Sequence, residues 1–432
     1  MKTRSIITCV ALSFGRLVDA QSIDLDQARL YFSEVRHLGE LDAGGLWGRR
    51  VDGPMFFVDP QTRQIVANMR DSAGILRAQN GVWVGTLPLD RSPANTAITW
   101  AGRHWSMVMW PLSDSRYARD RLLMHESYHR IQDDLHLPAR DRANNQFGTA
   151  EGRIWTRLEW RALVEALLRS GEERKRALSD AMTFRARREQ LSPNAADDER
   201  ALELNEGLAE YTGYALSGLP HSALYDRIAV NLAQSEQQEN FARAFPYVSG
   251  PAYALLLDAT GQTWRKKLNE RSNIAELAAK AYGVTNVDVT TAETRSARYS
   301  PARMIAEERA RETRRVETEK RLRAKFVDGP AVTIIPGSKF NYSYDPNGAT
   351  PLQNVGTVFE SSRITDEWGT LDVTSGGVLM RRDSGPITAV VVSAPGGETP
   401  PMKGDGWEIH LAPGWSIERG TRPGDWVLQQ HR

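Results

Sequence analysis

His125-Glu126-Ser127-Tyr128-His129 is the stretch on which the fold turns. It lies in a run from about 113 to 137 with a helical pattern, opened by the N-cap candidates Ser113 and Asp114 and stopped before Pro138. Helical residues four apart project from one face about one turn apart. The imidazoles of His125 and His129 are therefore spaced to hold one zinc ion, and Glu126 sits where a general base reaches a zinc-bound water. The plainer alternative is a helix with two surface or core histidines and a solvated glutamate.

A zinc ion that does chemistry needs a third protein ligand and an open fourth position. Leu204-Asn205-Glu206-Gly207-Leu208-Ala209-Glu210-Tyr211 supplies the candidate on a later helix. Glu206 and Glu210 are one turn apart, so both can face one partner helix. Glu206 is read as the ligand. Glu210 is read as the acceptor for the free ring nitrogen of a ligand histidine, which fixes that ring's tautomer. Gly207 is expected to let the two helices approach closely. Glu151 and Glu159, on the intervening helix, are rival ligands.

The two motifs together resemble those of the gluzincin metallopeptidases, thermolysin-like and above all aminopeptidase-like. These carry HExxH on one helix and an NEGxA-type glutamate on a later one. The resemblance implies a zincin-like catalytic domain with His125, His129 and Glu206 as zinc ligands and Glu126 as the base. Phe245-Pro246-Tyr247-Val248-Ser249-Gly250 is similar to the PYxxG-type stretch of gluzincin aminopeptidases. There the tyrosine stabilises the oxyanion, a role this likeness gives to Tyr247. Three short motifs within roughly 100–260 carry the likeness. Two departures stand out. The 76 residues from 130 to 205 exceed the aminopeptidase spacing and imply an inserted helical pair at about 150–192. The motif that holds a substrate amino terminus is absent from the strand before the zinc helix, which reads His104-Trp105-Ser106-Met107-Val108-Met109-Trp110. Endo- and exopeptidase specificity both stay open.

Outward from the motifs, 21–40 reads as a short helix and 46–112 as strands. Asn80-Gly81 is a strong two-residue hairpin signal. A second hairpin joins 96–100 to 103–110, and 103–110 is the expected edge strand for an extended peptide. Residues 113–290 form the helical metal-binding lobe. A charged, solvated linking helix covers 291–326. From 327 to 432 short strands between Gly and Pro clusters indicate a small sandwich or barrel. The fold class is α+β: a mixed-sheet lobe, a helical lobe and a C-terminal all-β domain.

Lys2 and Arg4, the apolar run 6–14 and Val18-Asp19-Ala20 have the form of an export signal cleaved near Ala20. Cleavage there would remove Cys9, the one cysteine of the chain, so no disulfide or thiolate metal site is expected. Lys+Arg 55 against Asp+Glu 54 gives a net charge of +1, which argues against a nucleic-acid partner. No apolar stretch is long enough to span a membrane. His37, His104, His221, His410 and His431 are isolated. Trp368, Trp407, Trp415 and Trp426 in the β domain would line a glycan or peptide groove if exposed, although core packing is their commoner use. The sequence expectation is an exported, periplasmic or secreted, zinc-dependent metallopeptidase acting on peptides or proteins. The rival is an exported, non-enzymatic binding protein whose zinc site is structural or degenerate and whose C-terminal β domain binds a glycan or protein partner.

Overall fold

The computed structural model describes residues 22–88, 91–137, 139, 144–238, 241–299, 301–344, 348–382 and 385–431. The export signal lies outside them. The chain is a mixed α+β protein with a C-terminal all-β region, divided into two compact units that meet in sequence at Arg309 and Ala310.

The first unit opens with α1, Leu25–Asp42, capped by Asp24, whose side chain accepts from the amides of Asp26 and Gln27. A six-stranded sheet follows. Its strands are β1 Met55–Val58, β2 Gln64–Ala67, β3 Arg77–Gln79, β4 Val82–Thr86, β5 Thr96–Trp100 and β6 Arg103–Met109. The spatial order is β3-β4-β2-β1-β6-β5, with β1 and β6 parallel and every other pair antiparallel. Asn80 and Gly81 take φ of 46° and 78° in the β3–β4 turn, the left-handed pair that a tight hairpin needs. Alternation sorts the strands into two faces. Phe57, Val66, Val82 and Val108 join Phe32 of α1 and Leu123 in the main core, with the Phe32 and Phe57 rings stacked at 4.4 Å. Phe56, Ile65, Trp105 and Met107 build a second core on the opposite face.

One expectation fails here. β6 pairs with β1 on one side and with β5 on the other, so it is interior. The outer strand at that end of the sheet is β5. The 103–110 run is strongly apolar because it is buried on both faces, and that apolar character is the mark of a central strand.

Helices dominate the remainder of this unit: α2 Arg116–Ile131, α3 Ala150–Leu168, α4 Gly171–Glu189, α5 Ala195–Leu202, α6 Leu208–Ala215, α7 His221–Ser235 and α8 Phe241–Asp258. The cap of α2 is Ser115, whose hydroxyl accepts from Ala118 N, in place of Ser113 or Asp114. Between α5 and α6 the helix widens into a single π-turn, Glu203–Gly207. Helix Pro301–Arg323 is less solvated than its charge suggests. Met304 and Glu308 are buried, with Glu308 accepting from both Arg153 and Arg157 of α3.

The second unit contains a seven-stranded and a five-stranded sheet. Val332, Ile334, Val390 and Val392 of one share a core with Ile364, Leu371, Trp407 and Ile409 of the other, which makes a sandwich. The alternate residues Leu379 and Val391 turn to the far face of the larger sheet, where Phe326 covers them. Trp368, Trp407 and Trp426 are 0%, 3% and 3% exposed, so three of the four candidate groove tryptophans are core, and Trp415 is half-buried. Among the described residues no helix is long and apolar enough to cross a membrane.

Candidate metal centre

α2 presents His125 and His129 from one face, as the four-residue spacing requires, and Glu206 reaches them from the π-turn. Among the described residues, these three form the cluster of side chains whose donor atoms could share an ion. His125 Nε2 and His129 Nε2 are 3.2 Å apart, and Glu206 Oε2 is 3.4 Å from the first and 3.5 Å from the second. Tetrahedral bonds of about 2.0–2.1 Å place donors roughly 3.3–3.4 Å apart, so the triangle has the dimensions of three corners of such a site. Of the rival ligands, Glu159 is wholly buried elsewhere with Arg188 and Tyr253, and Glu151 is exposed, 3.8 Å from Arg187.

The other nitrogen of each ring is held. His125 Nδ1 donates to Glu210 Oε2 at 2.9 Å, and the second oxygen of Glu210 accepts from Arg121. His129 Nδ1 donates to Gln132 Oε1 at 3.0 Å. Gln132 Nε2 continues to Asn205 Oδ1 at 3.1 Å, and Asn205 Nδ2 to Glu206 Oε1 at 3.1 Å. Both rings thus leave Nε2 for the shared position, the arrangement that hydrogen-bonded partners impose on ligand imidazoles.

Burial works to lower the His125 pKa, but the hydrogen bonds to Glu206 and Glu210 prevail and push it up to about 10. Burial works to raise the Glu206 carboxyl, and the hydrogen bonds to the two histidines overcome it, holding the group far below the usual carboxylate range. Glu126 behaves oppositely. It is 4% exposed, its Oε2 has no hydrogen-bond partner, and burial raises its pKa although His125 and His129 oppose the shift. A buried carboxylate oxygen left unpaired is costly and wants a donor. Ser106 of β6 fixes the backbone here by donating to Glu126 O at 3.1 Å.

Tyr247 of α8 completes the cluster. Its phenol donates to Glu206 Oε2 at 2.7 Å, and its ring lies parallel to that of His125 at 5.6 Å. Burial and then the Glu206 charge push its pKa far up, so it stays a donor.

Glycines set the approach of these segments, though not as the sequence suggested. Gly207 faces α8, not α2: a Cβ there would meet Gly250 Cα at 3.0 Å and Pro246 O at 3.1 Å. The glycine that brings α6 against α2 is Gly213, whose Cβ would lie 2.5 Å from Arg121 O.

Beneath the site lies an ionic cluster that the charge pattern did not disclose. Arg185 and Arg188 of α4 are fully buried. Arg185 grips Glu203 of the π-turn with two bonds of 2.8 and 2.9 Å. Arg188 holds Glu199 at 2.8 and 2.6 Å and also Glu159, which accepts from Tyr253 of α8 at 2.7 Å. The helical pair α3–α4 therefore ties down both the segment carrying Glu206 and the helix carrying Tyr247. Gln132 was also missed, although it lies one turn beyond His129 on the same face, a spacing that would have found it. In comparisons with protein families, with curated proteins and with solved structures, the chain matches none.

Proposed function

We propose that the chain is an exported zinc metallopeptidase of gluzincin type with a zincin-like catalytic domain. The observation that carries this reading is the triangle of His125 Nε2, His129 Nε2 and Glu206 Oε2, with edges of 3.2–3.5 Å. Glu126 Oε2, buried and unpaired, supports it from the adjacent position. When bound, zinc acidifies a water molecule and polarises a carbonyl. Glu126 accepts the proton of the attacking water and returns it to the leaving amine, a shuttle helped by its raised pKa. Tyr247 donates to the carbonyl oxygen on which negative charge builds. Glu210 and Gln132 keep the imidazoles in the tautomer that leaves Nε2 free. An extended peptide adds to the outer strand β5, in place of the interior β6, by main-chain hydrogen bonds.

A purely structural zinc site is closed by four protein ligands. Here three donors converge beside a buried carboxylate and a phenol, which favours the enzyme over a binding protein. In the test, zinc content and peptide-library cleavage are compared for the parent, His129→Ala and Glu126→Gln. The parent should hold about one zinc per chain, His129→Ala should lose it, and Glu126→Gln should keep it while turnover falls by orders of magnitude. Equal metal in the parent and His129→Ala, or near-parental cleavage by Glu126→Gln, would refute the reading.

A further inference from the structure

Two of the three converging side chains are joined to each other by a pair of buried amides. The run is His129 Nδ1 to Gln132 Oε1, 3.0 Å, Gln132 Nε2 to Asn205 Oδ1, 3.1 Å, and Asn205 Nδ2 to Glu206 Oε1, 3.1 Å. Its direction is imposed from both ends. A carboxylate only accepts, so Asn205 must turn its NH2 to Glu206 and its carbonyl to Gln132. An imidazole that offers Nε2 to a metal carries its proton on Nδ1, so Gln132 must turn its carbonyl to His129 and its NH2 to Asn205. The two requirements agree, and only an amide at 132 satisfies both. Gln132 is 2% exposed and Asn205 6%, so solvent is poorly placed to replace either link.

Building on the metal reading above, we propose that Gln132 is a positioning residue which, through Asn205, locks His129 and Glu206 to one another across two helices. Each side chain alone has rotamer freedom that ligation must remove. The bridge removes it beforehand, and it couples a ligand on α2 to a ligand on the π-turn. In other zinc sites the partner of a ligand histidine is often a carboxylate. A carboxylate at 132 would still accept from His129, but it would turn an acceptor toward Asn205 Oδ1. The identity of the residue therefore separates a bridge from simple orientation of His129.

The test is metal affinity of the full-length, metal-free protein, read by zinc titration against a chromophoric chelator. Gln132→Met and Asn205→Ala should each weaken binding by about 10–100-fold. The double variant should lose no more than the weaker-binding single variant, because either change already breaks the chain. Gln132→Glu should also bind more weakly than the parent, and it decides the question if Gln132→Met does not fold. Additive losses, or Gln132→Glu binding as tightly as the parent, would overturn the bridge. If the parent binds zinc and Gln132→Met binds it equally well, the bridge alone fails. If the parent takes up no more zinc than His129→Ala, the metal reading fails and the bridge with it.

Discussion

Gly250→Ala tests how finely the site is set. A Cβ on Gly250 would lie 2.4 Å from Gly207 Cα and 3.0 Å from Gly207 C, whereas ordinary contact begins near 3.4 Å. The obstructing atoms are backbone, so α8 and the π-turn must separate by about 1 Å. Tyr247 is three residues before Gly250 and Glu206 is next to Gly207, so the movement falls on the 2.7 Å bond between them. Lengthened by about that much, it passes out of hydrogen-bonding range. Forcing a methyl into such packing costs about 1–3 kcal/mol, and a displacement of about 1 Å at a reacting centre costs about 100-fold in rate. Gly207→Ala should be milder, since its nearest contacts are 3.0 and 3.1 Å, and Gly148→Ala should be neutral, with no atom within 4 Å. Thermal melting and zinc competition should rank Gly250→Ala worst, then Gly207→Ala, then Gly148→Ala. A Gly250→Ala protein that melts with Gly148→Ala and binds zinc as tightly would show that the crossing does not set the site.

Tyr247→Phe should lower kcat by about 10²–10³ with KM and zinc content nearly unchanged; an unchanged kcat would make the tyrosine a packing residue. Arg185→Met removes the partner of fully buried Glu203, which should cost about 3–5 kcal/mol in thermal or denaturant unfolding; a loss under about 1 kcal/mol would mean that the cluster contributes little. In metal-free protein the His125 pKa is raised from 6.5 to about 10. Its contribution to stability is thus complete below pH 6.5 and is lost as pH rises through about 10. Melting temperature of the metal-free protein should decline across that window, and the zinc-loaded protein should lack the decline because the metal replaces the proton. Parallel profiles with and without zinc would contradict this.

The sequence was most legible where chemistry depends on local spacing. His125 and His129 share a face because helices repeat every 3.6 residues, and Glu206 and Glu210 meet opposite nitrogens of His125 for the same reason. The Asn80-Gly81 hairpin was equally plain, because few dipeptides tolerate two left-handed residues. Facts set by tertiary pairing were not legible. Whether β6 or β5 is the outer strand depends on where β1 joins the sheet, 51 positions away at the Phe57–Val108 pairing, and no local pattern records that. The sequence points Gly207 toward α2, which carries the candidate ligands His125 and His129, while the contact is with α8. Arg185 and Arg188 lie on a highly charged helix, and burial of an ion pair becomes visible only when Glu203 and Glu199 come to face them.

The ion-pair cluster lies in the interval between His129 and Glu206. A metal site needs its donors held within about 0.5 Å, yet Glu206 sits on a π-turn, a break in regular helix hydrogen bonding that by itself leaves the local register soft. Gly207 against Gly250 restrains that turn from one side by close packing. Arg185 restrains it through Glu203, one turn before Glu206, with a two-pronged bond between two fully buried side chains. Taking two guanidiniums and three carboxylates out of water is costly, and apolar packing of the same volume is often as stable or more so. What apolar packing does not supply is direction. A bidentate guanidinium fixes both the position and the rotation of the carboxylate it holds, and so of the turn that bears it. The helices from 150 to 189 thus act as a brace for Glu206, and their cost in stability is offset by the definition they give to that side chain.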